Sequence, residues 1–98
     1  VTLVVYLVVR SRVANWLVDR GAHDGAAAFA RERLKPGWGR SEDEAWRQHE
    51  ALVRAELARG DLAAAVEVLE SPTCRRLGSE RAEWVAWRME IAGRRVGV

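Results

Sequence analysis

Two histidines, a single cysteine and fourteen acids are the residues of this chain whose types could carry chemistry. A metal site needs ligands at a short repeated spacing, and His23, His49 and Cys74 share none. His49 falls on an apolar stripe between Trp46 and Val53, the place of a partly buried packing residue, and His23 belongs to a turn. Cys74 precedes Arg75 and Arg76, whose charges could lower its pKa and make the thiol redox-active. The competing expectation is a buried, inert thiol. The chain has no glycine-rich phosphate loop and no nucleophile elbow, and its acids fall at helix starts and in ion-pair spacings rather than as a catalytic dyad. These residues support no enzyme, no cofactor and no metal, and point to a binding role.

The elements that must position the side chains are helices, and 41–71 shows them best. Ser41 with Glu44 three residues on is a capping box, and Glu42, Asp43 and Glu44 put negative charge at the positive end of the helix dipole. Asp43 with Arg47 and Glu50 with Arg54 are acid-first pairs four apart, each worth ~0.3 kcal/mol on an exposed face. Trp46, Leu52, Val53 and Leu57 make the apolar stripe of a helix running to Arg59. Gly60 ends it in a left-handed conformation and Asp61 caps the next helix at once, so the two lie antiparallel. Leu62, Ala65, Val66 and Leu69 share one face of that second helix, which Ser71 and Pro72 close.

Upstream, Val9, Val13, Trp16 and Leu17 repeat at helical spacing to Arg20, with Gly21 as cap. Asp24 is the expected N-cap of a helix over 25–35 whose Ala26, Phe29, Ala30 and Leu34 face one way. Pro36, Gly37 and Gly39 bracket Trp38 in a loop, where it either plugs the loop or stands as a contact. Downstream, Thr73 to Leu77 makes one helical turn closed by Gly78, and Ser79 caps a helix from Glu80 to about Arg95. Trp84, Trp87 and Ile91 form one stripe on it and Val85, Met89, Ala92 and Val96 another, an arc that wants contacts on two sides. The expected fold is all-α: about five helices in antiparallel hairpins stacked as a short α-solenoid, one domain with units near 7–35, 42–71 and an incomplete 80–98.

Length and charge bound the function. A chain of 98 residues holds one small core, and 49% apolar content excludes disorder. Its 16 basic residues, all arginine save Lys35, interleave with the acids for a net charge of +2, against the one-sided basic stripe of a nucleic-acid face. The lone cysteine rules out an internal disulfide and fits a reducing, cytoplasmic setting. Val1 to Val9 is too short to cross a bilayer, which takes ~20 helical residues, and its basic flank follows it, unlike that of a signal peptide. It reads as the buried start of the first helix, as a short strand, or as the tail of a membrane anchor with Arg10 and Arg12 on the cytoplasmic side.

Gly21, Gly60 and Gly97 each follow a striped helix, 39 and 37 residues apart, and Ala26 and Ala65 each lie five residues after their glycine. In these residues, GAHDGAAAF and GDLAAAVEVL, the chain resembles a degenerate tetratricopeptide repeat protein. The resemblance covers Leu7 to Leu34 and Trp46 to Pro72, and Glu83 to Gly97 as a first helix only. Val13 and Ala14 match the family's large and small pair, whereas Leu52 and Val53 match only the large position. The repeats are longer than the usual length of about 34, and Leu17 and Glu56 replace an expected aromatic.

The resemblance implies a concave groove, lined by the first helix of each pair, that holds a peptide or a partner helix. Carried over by position, Ser11, Asn15, Val18 and Asp19 line it first, then Arg47, Glu50, Arg54 and Leu57, then Trp84, Trp87, Ile91 and Arg94. Arg47 and Arg54 would pair with partner carboxylates or stay as solvated members of their own ion pairs. The implied function is a protein-interaction scaffold with no small-molecule substrate. Two other readings stay open: a small helical nucleic-acid binder, and a self-associating chain that pairs its apolar start and last helix with another copy.

Overall fold

The computed structural model describes residues 1–37 and 39–96. Trp38 and Gly97, which carry the loop plug and the third glycine of the repeat, lie outside the described residues. The described residues form six helices and no strand: α1 Thr2–Asp19, α2 His23–Leu34, α3 Glu42–Ala58, α4 Leu62–Glu70, α5 Pro72–Gly78 and α6 Ala82–Val96. The count is six rather than five because the single turn expected after Pro72 is a seven-residue helix. Proline at its first position has the backbone angle a helix needs and lacks only an N–H that would go unpaired there.

Both hairpins turn on the same geometry. Gly21 and Gly60 adopt φ of 81° and 77°, which a side chain would strain. After α1 the Gly21 N–H bonds to the Val18 carbonyl and the Ala22 N–H to Leu17, each at 2.9 Å. After α3 the Gly60 N–H bonds to Leu57 at 3.1 Å and the Asp61 N–H to Glu56 at 2.9 Å. Each pair of bonds satisfies two carbonyls the helix end leaves open. The helix starts differ. Asp61 caps α4 by accepting from the Ala64 N–H at 3.0 Å, whereas α2 begins at His23, and Asp24, the expected cap, lies inside its first turn and pairs with Arg59. Likewise α6 begins at Ala82, not Glu80, because the Arg81 N–H bonds to the Gly78 carbonyl in a turn between the helices.

Side-chain pairs fix the helix directions. Arg10 reaches Glu44 and Asp19 reaches Arg54, so α1 and α3 run parallel. Trp87 stacks on Trp46 and Arg94 bonds to the Leu57 carbonyl, so α6 runs parallel to α3 as well. α2 is antiparallel to α3, with Asp24 at Arg59 and Arg33 at Glu44.

α3 is the central element and is buried on both sides. One side closes a core rich in alanine, with Ala14, Ala26, Ala27, Ala30, Ala51 and Ala55 letting α1, α2 and α3 approach closely. The other meets Leu69, Cys74, Trp84 and Ile91 through Trp46, Val53 and Leu57. Gly78 belongs to this second core: it is buried without a positive φ, and a β-carbon there would overlap the Trp46 indole. It permits a close approach and is the last residue of α5.

Val1 to Val9 is neither a strand nor a buried helix start. α3 begins level with Arg10, so the first two turns of α1 run past the body, and Leu3 to Val9 stay exposed. No helix among the described residues is long and apolar enough to cross a membrane.

Candidate interaction surface

Of the twelve residues expected to line a partner groove, five meet between α1 and α3, Asn15, Asp19, Arg47, Glu50 and Arg54, whereas Val18, Leu57 and Ile91 are buried in the cores and Ser11 does not line this cleft. With Arg12 and Trp16 the five line an open cleft of about 300 Å³. Parallel helices bring them together, because each turn of α1 from Arg12 to Asp19 faces a turn of α3. Asn15 is the hub. Its amide nitrogen donates to the Glu50 carboxylate at 3.0 Å and to the Arg47 carbonyl at 3.2 Å, while its oxygen accepts from Arg54 at 2.6 Å. The other Arg54 nitrogen donates to Asp19 at 2.5 Å.

The expected pairing of Asp43 with Arg47 forms at 3.0 Å. Arg54 does not turn to Glu50 as its spacing suggests; it crosses to α1, where a carboxylate and an amide are offered together. Two cations and two carboxylates thus balance inside the cleft, and Arg12 on its rim is exposed and makes no ion pair among the described residues. Trp16 beside it is 53% exposed, under the guanidinium of Arg20 at 4.8 Å.

Trp84, Trp87 and Arg94 are not brought to this cleft. The tryptophan stripe is the face by which α6 packs: Trp84 is buried and donates its indole N–H to the Leu69 carbonyl at 3.2 Å, and Trp87 stacks on Trp46 at 6.0 Å between centroids. Arg94 donates to the Leu57 carbonyl at 3.1 Å, at the negative end of α3. The stripe of Val85, Met89 and Val96 is the exposed one.

One polar cluster lay hidden from the sequence. Glu44 makes half of the expected capping box: the Ser41 hydroxyl accepts from the Glu44 N–H at 3.1 Å, but its carboxylate turns inward. It accepts from Arg10 at 2.6 Å, from Arg33 at 3.1 and 3.2 Å and from Gln48 at 3.3 Å, all beneath the end of the α1–α3 cleft. Burial alone would raise the Glu44 pKa; the hydrogen bonds from Arg10 and Arg33 together outweigh it and hold the carboxyl below its ordinary value, and so ionised. A signal existed in Arg33, which continues the buried face of Ala26 and Ala30 one turn on. Glu56 is also buried and ion-paired, with Arg59 at 2.9 Å and Arg31 at 3.4 Å.

The remaining chemical candidates are structural. His49 is buried with Nδ1 2.8 Å from the Ala45 carbonyl, and burial lowers its pKa, so the ring is neutral at neutral pH. Cys74 is fully buried, which pushes its thiol up to about 11. Arg75 and Arg76 do not activate it because they point outward to Glu70 and Glu42. Among the described residues no three of His, Cys, Asp or Glu gather as metal ligands would. Comparison with family models, with curated proteins and with solved structures produced no match.

Proposed function

We propose that the chain is a protein-interaction module that holds a peptide or a partner helix along the α1–α3 surface. The observation that carries this reading is the cleft itself, in which five polar side chains from two parallel helices are held open by their own hydrogen bonds. Side chains already fixed in place lose little rotamer freedom when a partner arrives. Tryptophan and arginine on the rim are the residue types that dominate interface energetics. Parallel α1, α3 and α6, with α2 and α4 as return helices and two equal glycine turns, support a short solenoid of tetratricopeptide-like hairpins. The buried free thiol fits the reducing conditions of a cytoplasm.

Selection from a displayed random-peptide library tests the reading. Peptides carrying a carboxylate beside apolar residues should be enriched, and Arg47→Ala with Arg54→Ala should weaken them about tenfold with helical circular dichroism unchanged. No enrichment, or binding indifferent to both substitutions, would refute it. A second reading, self-association, rests on the open α6 stripe, where Met89 is 70% and Val96 86% exposed. Size-exclusion chromatography of the parent chain and Met89→Glu over a range of concentrations separates the two.

A further inference from the structure

Beyond the groove, the first two turns of α1 have a surface that another protein would fit poorly. Leu3, Val4, Val5, Tyr6, Leu7, Val8 and Val9 follow one another at about 100° per residue, so their side chains point in every direction around the helix. Each is between 39% and 67% exposed. A partner protein or a second copy covers one side of such a helix and leaves the rest wet, whereas a helix apolar all round is matched by a surrounding that is apolar all round. The charges agree. From Val1 to Val18 the only charged side chains are Arg10 and Arg12, and the first acid in the chain is Asp19. Arg10 lies over the Tyr6 ring at 5.8 Å, and Arg12 borders an apolar hollow of about 420 Å³ with Val8, Val9, Val13 and Trp16. An apolar tip, then arginine, with tyrosine and tryptophan at the boundary, is the order met on passing from acyl chains to headgroups.

We infer that residues 3–9 of α1 seat in one leaflet of an anionic lipid bilayer, with Arg12 at the phosphates. The segment rises about 10 Å, which is within a single leaflet of a hydrocarbon core of about 30 Å.

Co-flotation of the 98-residue chain with vesicles of phosphatidylcholine and phosphatidylglycerol tests this, with pure phosphatidylcholine as comparison. The parent chain should float with the anionic vesicles and more weakly with the neutral ones. Val4→Glu with Val8→Glu changes one side of the helix, and Val5→Glu with Val9→Glu changes another. Either pair should lower the bound fraction about tenfold or more, and Arg12→Gln should lower it about fivefold on anionic vesicles. All these positions are exposed, so circular dichroism should remain that of the parent. Failure to float overturns the inference, and so does loss of binding from one pair alone, which marks a one-sided contact with the vesicle surface. Dimers that dissociate on substitution, without flotation, assign the tip to a second copy. Arg47→Ala with Arg54→Ala should float like the parent, so failure of the groove reading and failure of this one are told apart.

Discussion

Glu44 and His49 govern how the fold responds to acid, and their contributions begin to fall at different pH. Glu44 has a folded pKa below its ordinary value near 4.5, so its contribution is complete above that value and is lost as pH falls through the lower folded one. His49 is a base with a depressed folded pKa. The unfolded chain takes up the proton first, and stability falls as pH drops below about 6.5, with a slope of at most ~1.4 kcal/mol per pH unit. Urea midpoints measured from about pH 8 to about pH 3 should therefore decline in two stages. His49→Gln should abolish the upper stage, and a parent profile that stays level through pH 5 would contradict the assignment. Glu44→Ala should cost roughly 3 kcal/mol at neutral pH, because it leaves two inward guanidinium groups without their carboxylate. At this scale the sequence was legible in part. The capping role of Ser41 and the pairing of Asp43 with Arg47 are local and were read correctly. The fate of the Glu44 and Arg54 side chains was not legible, because Arg10 and Asp19, which they reach, lie more than thirty residues away in the chain.

At the scale of elements, the glycines separate turning from approach. Gly60 and Gly21 were recognisable because a glycine between a striped helix and a polar cap has one common use. Gly78 looked the same in sequence and serves a different end, admitting the Trp46 indole against α5. Gly78→Ala should therefore destabilise the fold by about 1–3 kcal/mol, since a rigid ring and a helix backbone must both shift. Gly93, helical with open space around it, supplies the contrast: Gly93→Ala should be neutral or stabilise by up to ~1 kcal/mol. Equilibrium unfolding of both variants checks the pair, and equal effects would refute the close-approach account. The boundaries of α3 and α4 were legible from Ser41, Gly60 and Asp61. The full length of α5 was not, because its seven residues have neither a clear stripe nor a capping side chain and take their stability from Cys74 and Gly78 packed against α3 and α4.

In the whole molecule α3 joins two cores, one built on alanines and one on tryptophans. Opening either core exposes one side of α3, and only global unfolding frees it from both. Amide exchange should accordingly be slowest in the middle of α3, from Ala51 to Leu57, intermediate in α2 and α4, and fastest in the first two turns of α1. Protection of residues 3–9 equal to that of α3 in the isolated chain would mean that the tip is covered.

Sequence by itself determined that the chain is helical and where two hairpins turn. Those properties follow from spacing and caps, which act over a few residues. Tertiary structure alone decided which of the two apolar stripes of α6 is core, since both repeat at helical spacing and only the fit of Trp84 and Trp87 against Leu69 and Trp46 selects one. It also decided that Glu44 is an interior anion and that Leu3 to Val9 stay exposed. Each of these depends on the offset between parallel helices, a quantity that no local pattern of residues encodes.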